Sequence, residues 1–238
     1  MAGKSMNTTG GDTFFISGSQ FGPSLYSGIA GGIRVTYGPV GAEDAYIARV
    51  VRSTHEEIEV RTAPGTGGPH VWNVEVAGQT GELSDPELHA TSYLSPDLSS
   101  VTIIASAVGG SSLLLPASGG ATVLVDGSQF GPSGSSSVMA FLVLRSPGVA
   151  WGIDGSTGAG GIEIPMESCV RVAGMPHTRI SCRSPIGAGT GYGVKVVIDG
   201  QMAELAMPMA GGGTVDFELP VVTAISGSGA QDAGTSGG

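Results

Sequence analysis

The sequence predicts an all-β protein made of two similar β-sandwiches in tandem. The six residues Gly18–Pro23 read Gly-Ser-Gln-Phe-Gly-Pro, and the same six letters return at Gly127–Pro132. A repeat of this kind indicates two copies of one structural unit. The chain has 238 residues, with 42 glycines, 14 prolines and 40% hydrophobic residues. That composition is typical of many short strands joined by turns, and the length suits two domains of about 100 residues each.

The charge of the chain narrows the range of partners. The formal net charge is −10, and the only lysines are Lys4 and Lys195. Such a surface repels polyanions, so we expect no nucleic-acid partner. No apolar run reaches the roughly 18 residues that cross a bilayer, so we expect no membrane insertion. Residues 1–6 lack the apolar core of a signal peptide, which leaves either a cytosolic protein or a mature or truncated piece of a secreted one.

The first copy opens with a polar stretch followed by a strand. Asn7-Thr8-Thr9 is an acceptor pattern for N-glycosylation, so covalently attached glycans are expected if the chain is secreted. Residues 13–17 form a β-rich run that stops at a glycine, and residues 121–126 are its counterpart in the second copy.

The repeated turn carries one aromatic residue in each copy. We expect Phe21 and Phe130 to cap the core at one end of their sandwiches. Gly18 and Gly127, which come three residues earlier, allow the chain to turn sharply around each ring.

Two further stretches repeat in the same order. Residues 55–61 align with residues 177–183, and alternation predicts that Ile58 and Val60 point inward. Glycine-rich turns follow in both copies. The strand at residues 71–79 then aligns with residues 193–201, and both end in Gly-Gln.

These motifs resemble the IPT/TIG family, the immunoglobulin-like domains of plexins, Rel-type transcription factors and tandem surface proteins. The resemblance rests on the Gly-Ser-Gln-Phe-Gly-Pro turn, the Ile-x-Cys-Arg-Ser-Pro strand, the Gly-x-Gly-x-Gly turn and the final Gly-Gln. It implies two tandem immunoglobulin-like sandwiches. We expect one domain at 10–93 without its first strand, a second at 94–219, and a C-terminal orphan strand at 220–238. The family serves as spacer, adhesion and binding module, so the resemblance says little about function.

The second copy is longer than the first. Matching residues are 109 apart at the phenylalanine turn and 122 apart at the Gly-Gln strand end, so 13 extra residues are expected between about 133 and 168. Trp151 falls within this insertion. It is either a packing anchor for a long loop or part of a contact surface.

The two cysteines belong to the second copy. Alignment places Cys169 opposite Ile47 and Cys182 opposite Val60, so both are expected in the core. The resemblance implies a Cys169–Cys182 disulfide, while two free buried thiols remain the alternative. A disulfide would contribute on the order of 3 kcal/mol and would indicate an oxidising, extracellular setting.

No arrangement of residues indicates an enzyme, a cofactor or a metal. Gly187–Gly193 resembles a phosphate-binding loop in composition, but it precedes a strand instead of a helix. His55 and its two following glutamates are expected on a solvated edge. Two cysteines without suitably spaced histidines do not make a zinc site. The Asp-Gly pairs at 126–127 and 199–200 are turn formers first.

The ends of the chain suggest how the protein assembles. Leu98 and Val101 are the expected core residues of the first strand of the second copy, and Val222 and Ile225 repeat them near the C-terminus. We therefore expect Val221, Val222, Ala224 and Ile225 to form an assembly strand that completes the first domain of a neighbour. The interpretation is a structural subunit of an extracellular filament, a homo-oligomer joined head to tail. The alternative is a ligand-binding or adhesion segment of a larger cell-surface ectodomain.

Overall fold

The computed structural model describes residues 4–23, 32–81, 90–104, 114–134, 137–144, 162–205 and 214–227. The predicted all-β fold is confirmed, since these residues form strands and turns without any helix. The strands of the first half are β1 Lys4–Met6, β2 Thr13–Ser17, β3 Ile33–Gly38, β4 Tyr46–Ser53, β5 Glu57–Arg61, β6 Val71–Val76, β7 Gln79–Thr80 and β8 Thr91–Tyr93. Those of the second half are β9 Asp97–Ile104, β10 Leu114–Leu115, β11 Thr122–Ser128, β12 Val138–Leu144, β13 Ile162–Pro165, β14 Glu167–Arg171, β15 Arg179–Arg183, β16 Gly193–Ile198, β17 Gln201–Leu205 and β18 Asp216–Phe217.

The second half is an immunoglobulin-like sandwich of two four-stranded sheets. One sheet has the order β14-β15-β11-β9 and the other β13-β12-β16-β17. Alternate side chains from both sheets meet in one core, as two sheets with one apolar face each require. Phe130, Leu142, Ile180 and Ile198 are among its fully buried members. Leu98 and Val101 are buried on β9, as the sequence predicts.

The first half has the same plan with one strand continuous where the second half has two. Its sheet order is β2-β5-β4-β3-β6-β7. β4 pairs with β3 through Tyr46–Ala48 and then with β5 through Arg49–Ser53, so it passes from one layer to the other. In the second half two separate strands make these pairings, since β13 pairs with β12 and β14 pairs with β15. Ile58 and Val60 are fully buried, which confirms their predicted inward direction.

A short parallel pair closes each sandwich. β1 pairs with β8, and β10 pairs with β18 in the same manner. Met6 on β1 is fully buried in the first core, just as Leu115 on β10 is in the second. The first sandwich therefore includes residues from Lys4 onward, whereas the sequence placed its start near residue 10. The error arose because one methionine in a polar stretch gives no periodic signal.

Strand register corrects the alignment of the cysteines. Glu167 pairs with Arg183 and Arg49 pairs with Arg61, so β14 lies 118 positions after its counterpart in β4. Cys169 is therefore equivalent to Val51, and the predicted match to Ile47 is wrong. Nine of the 13 extra residues precede β14, and four lengthen the turn between β14 and β15. Trp151 lies outside the described residues.

Candidate interaction surfaces

One edge of the first sandwich differs from its counterpart in the second. β11 is flanked on both sides, by β15 and by β9. Its counterpart β2 pairs with β5 through Phe14–Val60 and Ile16–Ile58. Within the described ranges, no strand pairs with the other edge of β2. That edge presents unpaired backbone groups of the kind that recruit another strand.

Burial of the core side chains reflects this open edge. Val123 and Val125 on β11 are fully buried, as is Phe130. Their repeat counterparts Phe14, Ile16 and Phe21 are only half-buried. These aromatic and aliphatic groups are thus partly in water, because no strand among the described residues covers them as β9 covers β11. Phe21 contributes to the end of the core as predicted, but less completely than Phe130.

The glycine that opens the repeated turn marks the path of the covering strand. A Cβ atom on Gly127 would overlap the Asp97 carbonyl oxygen and would meet the Phe130 ring at 2.6 Å. A Cβ atom on Gly18 would meet the Phe21 ring at 2.6 Å. Gly127 therefore makes room for both a ring and a strand backbone. Gly18 makes room in the same way for the Phe21 ring.

The C-terminal segment exposes its apolar residues. Residues 218–227 form no regular strand, and Val222 and Ile225 are 79% and 85% exposed. The other two predicted assembly residues, Val221 and Ala224, are also exposed. Residues 228–238, the rest of the predicted orphan strand, lie outside the described residues. An exposed apolar segment of this kind is expected to pack against another protein surface.

The two sandwiches meet at a junction held partly by Gln129 of the repeated turn. The Gln129 Oε1 atom accepts hydrogen bonds from the Thr8 amide at 3.0 Å and from Thr8 Oγ1 at 2.9 Å. Nδ1 of His177 lies 3.1 Å from the same hydroxyl, which is satisfied if Nδ1 carries the hydrogen. Thr8 is almost fully buried by these contacts. Burial and the positive charge of Arg171 lower the pKa of His177, so its neutral form is favoured.

A second set of contacts comes from the turn between β16 and β17. Gln201 Nε2 donates to the Tyr93 carbonyl oxygen at 2.8 Å. Thr66 Oγ1 donates to Asp199 Oδ2 at 2.5 Å. A Cβ atom on Gly67 would lie 2.9 Å from the Asp199 Cβ, so the two turns are in close contact there. The junction therefore has several specific hydrogen bonds in addition to the chain connection.

Cys169 on β14 and Cys182 on β15 are joined by a disulfide. The bond links two strands of one sheet and closes a loop with a sequence separation of 13 residues. Cys182 is buried in the core, while Cys169 packs against it from a half-buried position.

The remaining predicted site residues occupy varied places. Asn7 is exposed, and its Nδ2 donates to Asp12 Oδ1 at 2.9 Å. The glycine-rich loop at 187–193 leads into β16, as a strand and not a helix. Asp126 forms an ion pair with Arg179 at 2.5 Å.

The described residues contain no group of three or more His, Cys, Asp or Glu side chains placed to hold a metal ion. A helix able to cross a membrane is likewise missing from these ranges.

Sequence reasoning missed the junction. Its signal was present, because Gln129 and Gln201 lie inside the two motifs that identify the repeat. A glutamine in a turn has no periodicity, however, and only the structure shows which backbone groups it reaches.

Comparison with known proteins gives limited information. No family model matches the chain. No curated protein matches it either. Two solved structures of the plexin A4 extracellular region are similar in part. One, with domains 1 to 10, has a TM-score of 0.28 and 12% identity over 81% of this chain. The other, with domains 1 to 8, has a TM-score of 0.28 and 14% identity over 84% of this chain. The chain spans only 14% and 16% of those two chains. TM-scores this low carry no argument about function.

Proposed function

We propose that this chain is a non-enzymatic structural segment of an extracellular, cell-surface protein, built from IPT/TIG-type sandwiches that are held in a fixed relation. The hydrogen-bonded junction carries the proposal. Gln129 and Gln201 bind backbone groups of the first sandwich, so each contact depends on the relative position of the two units. A flexible linker would need none of these contacts. The Cys169–Cys182 disulfide supports an oxidising compartment.

The test is the rotational motion of the two sandwiches. NMR relaxation should give both the same correlation time in the native chain. Replacing Gln129 and Gln201 with Ala removes their hydrogen bonds and should let the two units tumble separately. Both proteins are measured at a dilution where the chain is monomeric, and the matched control is the Gln20→Ala, Gln79→Ala variant, which alters the same motifs away from this junction. Separate tumbling in the native chain would refute a fixed junction.

A second function, assembly by strand donation, is favoured by the open edge of β2. In this hypothesis residues 220–238 of one copy pair with β2 of another, as β9 pairs with β11 inside one chain. The repeat gives the register, because Val101 opposite Val125 corresponds to Ile225 opposite Ile16. Repetition of such a contact produces an open head-to-tail filament. A longer chain could instead supply this strand from residues that precede Met1.

Removal of residues 220–238 tests strand donation. The truncated chain should remain monomeric in size-exclusion chromatography at concentrations where the full chain forms oligomers. A second test variant replaces Val222 and Ile225 with Ser in the full chain, which keeps the length and removes the apolar side chains. If both variants assemble as the native chain does, strand donation by this segment is excluded.

A further inference from the structure

Two surfaces meet in the junction between the sandwiches, and each of them has an exposed counterpart in the other copy of the repeat. Gln20 and Gln79 occupy the repeat positions of Gln129 and Gln201. Gln20 has a φ of 66° and Gln129 a φ of 61°, so both turns have the same unusual backbone conformation. Gln20 and Gln79 are exposed, whereas their counterparts are half-buried.

The receiving half is repeated at the other end of the second sandwich. The strand pairing that matches Met6 to Leu115 and Tyr93 to Phe217 also places Ala117 at the position of Thr8. The amide of Thr8 and the carbonyl of Tyr93 receive the two glutamines in the internal junction. The Ala117 amide and the Phe217 carbonyl are the corresponding backbone groups.

One pair of side chains differs between the internal junction and its repeat counterpart, and both members of the pair differ. In the internal junction Thr66 donates to Asp199. The repeat counterpart of Thr66 is Ala188, and that of Asp199 is Ala77. A lone Asp against Ala, or a lone Thr against Ala, would leave a polar group without its partner in a closed junction. Two alanines leave none, so the C-terminal end of the second sandwich and the open end of the first are complementary.

Exposed apolar side chains accompany this end. Ile186 is 78% exposed two residues before Ala188, and Leu219 is 79% exposed two residues after Phe217. Their repeat counterparts Pro64 and Ser95 stay exposed although the internal junction is closed, so Ile186 and Leu219 border the corresponding surface and are not buried by an equivalent contact.

From this we infer that a second copy of the chain docks end to end, with Gln20 of one copy accepting from the Ala117 amide of the other. Gln79 donates to the Phe217 carbonyl, and Ala77 lies against Ala188. The inference builds on strand donation, because the same step brings residues 220–227 to the open edge of β2. It adds a sequence-specific contact surface that strand pairing alone does not require.

Disulfide trapping between two full-length variants tests the docking. Ala77→Cys and Ala188→Cys proteins are mixed and oxidised gently, and the linked peptides are identified by mass spectrometry. The internal pair Thr66→Cys, Asp199→Cys in one chain is the positive control. Met139→Cys, an exposed position on β12, mixed with Ala188→Cys is the negative control.

We expect the 77–188 heterodimer to form in preference to either homodimer and to the 139–188 pair. Adding Gln20→Ala or Gln79→Ala to the Ala77→Cys protein should reduce its yield about fivefold for each hydrogen bond lost. A 77–188 yield no greater than the 139–188 yield would overturn the docking. Truncation of residues 220–238 separates the two ideas. If trapping persists while the tail proves unable to bind β2, docking stands and strand donation fails.

Discussion

Gln20 and Gln129 have the same backbone conformation in two different environments. Gln129 accepts two hydrogen bonds from Thr8, whereas Gln20 is exposed. Both positions have positive φ, which non-glycine residues adopt rarely. Both copies therefore have the strained backbone conformation at this position. The structure shows hydrogen bonds to the side chain of Gln129.

The aromatic ring of each repeated turn gives a first prediction. Phe130→Ala should cost about 3–5 kcal/mol, since the side chain is fully buried. Phe21→Ala should cost clearly less, because Phe21 is only half-buried beside the open edge. Denaturant-dependent hydrogen exchange, read on peptides from each sandwich, measures both. Equal costs in the isolated chain would show that the edge of the first sandwich is already covered.

His70 gives a prediction about pH. Burial lowers its pKa in the folded state, against the opposing effects of the Thr66 carbonyl and Asp199. Three tyrosines, Tyr37, Tyr46 and Tyr93, surround the ring. The unfolded state, with a pKa near 6.5, therefore binds a proton more readily than the folded state. The contribution of neutral His70 to the stability of the first sandwich is therefore fully present above about pH 6.5. It is lost progressively as the pH falls below that value.

The His70→Tyr variant isolates this effect. Tyr192 occupies the equivalent place in the second sandwich and donates to the Ala188 carbonyl at 2.8 Å, as His70 Nε2 contacts the Thr66 carbonyl at 3.2 Å. Calorimetry between pH 7.5 and 5 should show a smaller loss of Tm for the variant than for the native chain. Parallel curves would mean that His70 titrates alike in both states.

At the scale of the strands, the disulfide has a matched replacement within the chain. The first sandwich has Val51 and Val60 at the positions of Cys169 and Cys182. Replacing both cysteines with Val should cost the second sandwich about 3 kcal/mol, since the bond restricts a short loop of the unfolded chain. The first sandwich should unfold as before. Urea unfolding followed separately for each sandwich decides this, and an unchanged second transition would contradict it.

The donated strand has one predicted weak point. β9 covers its sheet with Leu98, Val101 and Ile103, all buried. Their counterparts in the tail are Val222, Ile225 and Gly227. A synthetic peptide of residues 220–238 with Gly227→Ile should bind the truncated chain more tightly than the native peptide, since it adds one buried side chain. Gly227→Ser is the control, and titration calorimetry measures both. Weaker binding of the Ile peptide would contradict the register.

Turns and strands could be predicted where both copies carried the same residues or the same spacing of apolar residues. The repeated turn, Ile58 with Val60, and Leu98 with Val101 were all placed from the sequence. β1 was missed because a three-residue strand has no measurable alternation and its pairing with β8 is long-range. The position of Cys169 was misjudged because one offset was applied across two separate insertions. Only the strand register shows how the 13 extra residues are distributed between the two insertions.

At the scale of the whole molecule, the proposed contacts between copies repeat those of the internal junction. One sandwich ends at β8, and the chain then runs directly into β9, which completes the next sandwich. The same succession from β18 into residues 220–227 leads to no partner among the described residues. Joining copies in this way would make a continuous fibre of equivalent sandwiches.

Electron microscopy of the full chain provides a prediction at this scale. Negatively stained samples should show filaments with an axial repeat of one chain, and the Val222→Ser, Ile225→Ser variant should show separate two-sandwich particles. Separate particles in both samples would instead favour a segment whose open edge is covered by a different part of a longer protein.

Hydrogen exchange at β2 tests strand donation, on which the end-to-end docking also builds, most directly. The chain without residues 220–238 is measured with and without a saturating peptide of those residues. Strand donation predicts slower exchange for the amides of Thr13–Ser17 that face away from β5, together with unchanged exchange in β11, which already has two neighbours. Unchanged exchange throughout β2 would contradict the pairing of residues 220–238 with this strand.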